Sequence, residues 1–283
     1  MSEKITCEIC FHRCRLSEGQ TGFCHARKNE NGQNIALNYG RLTSLALDPI
    51  EKKPLYHFYP GSMIVSAGSF GCNLACPFCQ NVEISMADNR DFPECEEYTP
   101  EELVEICKKH RPDGNIGIAF TYNEPLINHE FILETAKLMK LEDMKTVLIT
   151  NGNASRAILD ELGPYIDAMN VDLKSYDRDY YEHVLHGSFA ATTDFIERAL
   201  NYSHVEVTTL IIPGENDNED EMRAIASYLS DLIKRSGKDI PLHISRFFPR
   251  SQYSDRQPTP VETVRHLVDV AKVYLPHVYP GNC

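Results

Sequence analysis

Gly71-Cys72-Asn73-Leu74-Ala75-Cys76-Pro77-Phe78-Cys79-Gln80-Asn81 is the stretch from which the rest of the chain is read. Its short spacers, Cys-x3-Cys-x2-Cys, let three thiols converge on one soft metal centre. Thiolate sulfur prefers zinc or iron–sulfur clusters. A closed zinc site needs a fourth ligand close by, and none follows Cys79 locally. Three cysteines on a four-iron cluster instead leave one iron without a protein ligand, and that corner can hold a substrate or cofactor. The competing readings are a zinc knuckle and a chance cluster of thiols.

Composition limits what surrounds this loop. A chain of 283 residues can bury the core of one α/β barrel, or of a barrel with a small added module. Its 42% hydrophobic and 24% charged residues place it with ordinary globular proteins. The net charge of −13 argues against sequence-independent phosphate binding, and so against a nucleic-acid partner. No secretory signal pattern and no membrane-spanning apolar run is present. Ten cysteines, seven of them in two metal-like sets, point to a reducing cytoplasm rather than to disulfides. Of the other three, Cys107 falls on a helix four residues after Leu103 and reads as core. Cys95, flanked by Glu94, Glu96 and Glu97, is disfavoured as a thiolate, and Cys283 ends the chain.

Upstream, Cys7, Cys10, Cys14 and Cys24 form a second set, with His12 and His25 interleaved. Four thiols suffice for tetrahedral zinc, and equally for a second iron–sulfur cluster. Zinc is favoured because the segment is short, charged and poor in apolar residues, so that it needs a staple to fold. The histidines read as solvated or supporting groups. From Asn34 to Ser62 the chain turns rich in Leu, Tyr and Pro, and reads as a connecting arm packed beside the cysteine loop. Lys52, Lys53 and His57 are then either surface groups on a linker or functional groups of an ordered loop. Residues 1–62 thus form an N-terminal metal-binding module and arm, and residues 63–283 the core.

Beyond Met63 strands and helices alternate. Strands are expected at Met63–Ala67, Asn115–Thr121, Thr146–Thr150, Tyr165–Leu173, Val205–Ile212 and Leu242–Phe248. Thr99-Pro100-Glu101-Glu102 and Thr259-Pro260-Val261-Glu262 read as capping boxes opening helices. Further helices run through Phe131–Met139, Ile158–Leu162, Thr192–Asn201 and Met222–Ile233, the last ending at Gly237. Six strands trailed by helices imply a parallel sheet with right-handed crossovers, either open or a partial barrel.

The cysteine spacing, with the aromatic Phe78 before the third thiol, resembles the signature of the radical S-adenosylmethionine (radical SAM) enzymes. The resemblance implies a partial (β/α)6 TIM-like barrel in which Cys72, Cys76 and Cys79 hold a 4Fe–4S cluster. The open iron would bind the amino and carboxylate groups of SAM. In such barrels chemistry collects at the C-terminal strand ends. Glu124 there matches the family's Gly-Gly-Glu position, which meets SAM's amino group, although the glycines are absent. Thr150-Asn151-Gly152 is similar to a segment of pyruvate formate-lyase activating enzyme, with Ile149 where that relative has an acid. Asp172 and Lys174, also paired in that relative, lie two apart on one strand face. They are read as an ion pair or as holders of SAM's carboxylate and ribose. Pro213-Gly214-Glu215-Asn216-Asp217 is similar to the activases' Pro-Gly-x-x-Asp turn. His243 and Arg246 are candidate cofactor contacts on the sixth strand, with a satisfied structural histidine as the alternative. Phe248 falls where the activase has a His.

Cys7–Cys24, Asp48–Phe58, Gly71–Asn81, Thr121–Pro125 and Tyr279-Pro280-Gly281-Asn282 together resemble the radical SAM enzymes of the AmmeMemoRadiSam gene system. The chain stops at Cys283, so the further C-terminal cysteines of some members are not expected. The implied activity is reductive cleavage of SAM to a 5′-deoxyadenosyl radical that takes hydrogen from a protein, peptide or small-molecule substrate. An external one-electron donor such as flavodoxin or ferredoxin is implied, and AMMECR-type and Memo-type proteins are candidate partners. The alternatives are a glycyl-radical-enzyme activase and a non-catalytic iron–sulfur or zinc scaffold.

Overall fold

Residues 4–87 and 94–283 are described by a computed structural model of the chain. Six parallel strands form where the apolar runs place them: β7 (Met63–Gly68), β9 (Asn115–Thr121), β10 (Lys145–Thr150), β11 (Ala168–Asp172), β12 (His204–Ile211) and β13 (Leu242–Arg246). Two more strands complete an eight-stranded sheet. The first, β6 (Ser44–Pro49), pairs antiparallel with β7, and β14 (Val278–Gly281) pairs parallel with β13. The order β14-β13-β12-β11-β10-β9-β7-β6 leaves the sheet open, as a partial barrel. Both added strands contain proline, Pro49 and Pro280, and both lie at sheet edges, where a missing N–H is tolerated. The fourth expected strand starts later than its apolar run, because Gly163–Tyr165 makes a 3-10 turn first.

Strand alternation divides the core in two. Val65, Ile118, Phe120, Leu148, Met169, Val171, Val207 and Ile244 pack outward with the helices. Ile64, Ala119, Val147 and Ala168 face the concave side, where Ile50, Leu55 and Phe58 of the arm cover them. The arm is therefore a plug in the barrel, rather than a linker beside the cysteine loop. Full burial of Ile50 and Leu55 contributes about 1.5–3 kcal/mol each. Lys53 is buried with them, its Nζ 3.0 Å from Asp48, while Lys52 reaches the same carboxylate from solvent at 3.1 Å. Burial opposes the charge on Asp48, but hydrogen bonds from Lys53, Ser66 and Lys52 outweigh it and hold the carboxyl well below its ordinary range.

Helix α1 is a single turn at Val82–Ser85, and α2 (Pro100–Lys109) opens on a complete capping box: Thr99 Oγ1 accepts from Glu102 N, and Glu102 accepts from Thr99 N. Next come α3 (His129–Leu141), α4 (Arg156–Leu162), α5 (Arg178–His183), α6 (Phe189–Ala199), α7 (Glu219–Ser236) and α8 (Val261–Lys272). Asn218 caps α7, and Gly237 ends it in the left-handed conformation (φ +68°). The second expected capping box does not form. Thr259 is fully buried, and its hydroxyl donates to the Ile211 carbonyl at 2.6 Å, so α8 begins one residue later without a side-chain cap.

The N-terminal segment folds as two small antiparallel pairs, β1 (Ile5–Thr6) with β2 (Arg15–Leu16) and β3 (Arg27–Glu30) with β4 (Gln33–Ala36). A third pair joins β5 (Arg41–Leu42) to β8 (Glu96–Glu97). Buried Arg27 makes a two-pronged bond to Glu130 on α3, both contacts 2.8 Å, which anchors the segment to the barrel. Ser155 N donates to the Ile9 carbonyl at 2.8 Å, and His12 Nε2 meets the Asn73 carbonyl at 3.0 Å. The segment therefore sits on the loops at the C-terminal strand ends.

Candidate functional site

The cysteine loop leaves the C-terminal end of β7 and returns into α1, so its position follows from the parallel sheet. Gly71 turns the chain at φ +86°. A Cβ at this position would lie 2.6 Å from the Cys24 carbonyl oxygen and 2.7 Å from the Ala26 Cβ. Glycine is required by this close approach, which sets the N-terminal segment directly against the residue preceding Cys72. The sulfurs accept weak hydrogen bonds: Leu74 N to Cys72 Sγ at 3.4 Å, and Asn151 Nδ2 to the same sulfur at 3.7 Å. Cys79 Sγ lies 3.2 Å from Ser85 Oγ.

Glu124 is fully buried rather than an exposed carboxylate at the mouth. Its Oε1 accepts from Leu126 N (3.0 Å) and Thr150 Oγ1 (2.8 Å), and its Oε2 from Asn151 N (2.8 Å). Burial raises its pKa to about 7, because these three neutral donors compensate only part of the lost solvation and Asp172 adds repulsion. Glu124 thereby clamps the end of β9 to the end of β10. Asn151 passes the clamp on to the cysteine loop through Asn73 Oδ1 at 2.8 Å, and Asn73 Nδ2 donates to the Asn153 carbonyl at 3.0 Å. The sequence reading did not single out Asn73, Asn153 or Ser85. An Asn inside the cysteine loop facing two Asn after a strand was the available signal.

On the other side of the loop, Lys174 Nζ bonds Asp172 Oδ2 at 2.8 Å. Burial works against the charge on Lys174, but Asp172 and the neighbouring Cys76 outweigh it, so the amine stays protonated. Burial also pushes the Cys76 thiol up to about 12 although Lys174 pulls it down, and holds the Cys72 thiol well above its ordinary value. Thiolates at these positions thus need a cation beside them, which is the condition that metal coordination meets.

Five of the seven candidate cofactor contacts therefore gather around the loop: Glu124, Thr150, Asn151, Asp172 and Lys174. The structure does not bring His243 and Arg246 into this group. His243 is buried lower on the concave face, 2.6 Å from Glu206 Oε2, and Tyr56 and Tyr279 pack on its ring. Arg246 donates from Nε to the Thr259 carbonyl at 2.6 Å and lies over the half-exposed ring of Phe248. Phe248 itself is tied to the loop, its carbonyl accepting from Gln80 Nε2 at 2.9 Å.

None of the ten cysteines is in a disulfide. Cys107 is in the core, as its helical spacing implied. Zinc–sulfur bonds of about 2.3 Å would draw the sulfurs of a tetrahedral site to roughly 3.8 Å from one another. Among the described residues, neither cysteine set brings three sulfurs within 4.8 Å of one another. No helix among the described residues is long and apolar enough to cross a membrane.

Residues 68–228 match the family profile of the Radical SAM superfamily. The chain is 40% identical over 281 residues to an uncharacterised protein of Methanocaldococcus jannaschii, spanning 99% of this chain and 81% of that protein. It is 25% identical over 167 residues to the pyruvate formate-lyase-activating enzyme of Clostridium pasteurianum, spanning 57% of this chain and 67% of that enzyme. Among solved structures, Streptococcus suis SuiB superposes with a TM-score of 0.59 at 13% identity, over 76% of this chain and 48% of that one, a likeness of fold.

Proposed function

Given that this chain belongs to the Radical SAM superfamily, we propose that it reductively cleaves SAM at a 4Fe–4S cluster held by Cys72, Cys76 and Cys79. When bound, that cluster supplies the single electron that breaks the carbon–sulfur bond of SAM, the resulting 5′-deoxyadenosyl radical taking hydrogen from substrate. The observation that carries the reading is the set of three thiols outside any disulfide at the end of the first parallel strand, with Glu124 beside Cys72 and the Asp172–Lys174 pair beside Cys76. In this reading Glu124 holds the Thr150–Asn151 turn against the loop, and Asn151 donates to the Cys72 sulfur, a contact of the kind that tunes cluster potential. Asp172 and Lys174 offer one anion and one cation for the polar ends of SAM. Glu124, Thr150, Asn151, Asp172 and Lys174 form the proposed SAM-contacting set, without His243 and Arg246.

The test is anaerobic. The protein is reconstituted with iron and sulfide, reduced and given SAM, and 5′-deoxyadenosine is quantified. Slow production by the native chain, lost together with loop-bound iron in Cys76→Ala, is the expected result. Production retained in Cys76→Ala would sink the assignment. No SAM-induced change in the EPR spectrum of a fully loaded native protein would favour the non-catalytic scaffold.

A second reading keeps the chemistry and specifies the substrate. The similarity to an activating enzyme, with Asp172 and Lys174 in place, favours transfer of the radical to a glycine of a partner enzyme. Radical formation on a purified glycyl-radical enzyme tests it. The motif set from Cys7 to Asn282 supports instead a place in the AmmeMemoRadiSam system, with AMMECR-type and Memo-type proteins as partners and flavodoxin or ferredoxin as electron donor. Co-purification with those proteins, and 5′-deoxyadenosine formation that rises when they are added, tests that placement.

Cys7, Cys10, Cys14 and Cys24 complete the proposal as a second metal site. Composition favours zinc, and four thiols suffice equally for a second iron–sulfur cluster. Burial holds Cys10 up at about 12 and Cys24 at about 11, so this set also requires a cation to be thiolate. Iron and zinc content of the native chain and of Cys14→Ser decides between the metals.

A further inference from the structure

We propose that His57, Asp239 and His277 form a binding site for a divalent cation of the zinc class, on the barrel face opposite the cysteine loop. Asp239 lies just before β13 and His277 just before β14, so both are at the N-terminal ends of parallel strands. His57 belongs to the arm that plugs the barrel. One donor atom from each residue lies within 4.8 Å of the other two. His57 Nδ1 is 3.2 Å and His277 Nε2 is 3.5 Å from the same oxygen, Asp239 Oδ2. Two imidazole nitrogens and a carboxylate oxygen converging in this way are a usual protein ligand set for zinc, with a fourth position left to water.

The supporting structure around these donors is what distinguishes them from a chance surface cluster. The other ring nitrogen of His57 is held by Tyr279 Oη at 2.7 Å. Tyrosine hydroxyl either donates or accepts, so its oxygen can accept from Nε2–H and leave the Nδ1 lone pair free for a cation. The backbone under His57 is fixed as well, since Tyr56 N and His57 N both donate to buried Glu206, at 3.1 and 2.8 Å. His277 is placed by its carbonyl, which accepts from Leu242 N at 3.0 Å. The side chains of His57, Asp239 and His277 are 25%, 38% and 41% exposed, so a cation reaches them from solvent without any opening of the fold. Bound there, it joins the arm to two strand starts distant in sequence and fixes the plug in the barrel.

The experiment uses the full chain with its cysteine sets already loaded anaerobically, titrated with Zn2+ alone. Calorimetry should show one more equivalent of zinc on the native chain than on His277→Ala or Asp239→Asn, at equal iron content and circular dichroism. X-ray absorption of that equivalent should show nitrogen and oxygen ligands at about 2.0–2.2 Å and no sulfur. Tyr279→Phe should weaken binding about 10–100-fold. Zinc should raise the Tm of the native chain and leave that of Asp239→Asn unchanged. Should His277→Ala fail to fold, Asp239→Asn and Tyr279→Phe carry the same comparison. Equal zinc uptake by native chain and variants, sulfur among the ligands of the extra equivalent, or no uptake by the loaded native chain overturns the proposal.

Discussion

The mouth and the floor of this barrel each contain a fully buried glutamate, and the two are held in opposite ways. Glu124 at the mouth accepts from two backbone amides and a hydroxyl, all neutral, and its pKa is raised to about 7. Glu206 at the floor accepts from four donors, the amides of Tyr56 and His57 and the rings of His204 and His243. Burial raises its pKa too, but hydrogen bonds from His204, His243 and the two amides bring it down to about 2. Burial alone therefore does not decide the charge of a carboxyl. The donors around it do, and here they leave an adjustable group beside the candidate site and a permanent anion under the plug.

The largest expected effect comes from removing the floor anion. Glu206→Ala leaves two histidines and two amides without their acceptor and should cost about 3–5 kcal/mol in chemical denaturation. An effect below 1 kcal/mol would mean that the arm is not held through Glu206. The two glutamates should also differ in pH dependence. Glu206 contributes stability that is present above its ordinary value of 4.5 and is lost as pH falls towards about 2, in all about 3 kcal/mol. Denaturation of the native chain and of Glu206→Gln across that range should show the loss only in the native chain. Glu124 has the opposite sign: its folded pKa lies above 4.5, so its contribution is present below 4.5 and declines as pH rises towards about 7.

Glu124→Gln should cost about 1–3 kcal/mol, because an amide nitrogen in place of one carboxylate oxygen cannot accept from the donors that oxygen served, so not all three bonds survive, and should flatten the decline between pH 4.5 and 7. Gly71→Ala, forced against the Cys24 carbonyl at a left-handed φ, should cost a similar about 1–3 kcal/mol and loosen the N-terminal segment in hydrogen exchange while leaving the floor protected. The smallest effect is expected at an exposed helix start. Thr99→Ala removes the cap of α2 and should cost about 1 kcal/mol without altering 5′-deoxyadenosine production.

Local chemistry made much of the mouth legible. The spacing of Cys72, Cys76 and Cys79, the strand runs and the first capping box each act within a few residues, so their pattern survives in the bare sequence. Thr259 shows where that stops: its box is written as clearly as that of Thr99, yet burial against Ile211 gives its hydroxyl another acceptor. The floor was illegible for the same reason. His57, Glu206, His243 and Tyr279 lie far apart along the chain, and no period or motif connects them.

The sequence by itself determined the alternating α/β order, the cysteine loop at a strand end and the five polar residues at the ends of the next strands, because side-chain period and spacing are properties of short segments. Tertiary structure alone decided the two edge strands, the arm as a plug, the N-terminal segment against Gly71 and the separation of His243 from the mouth. Those outcomes depend on which distant groups meet once water is excluded, and on whether each buried donor or acceptor finds its partner there.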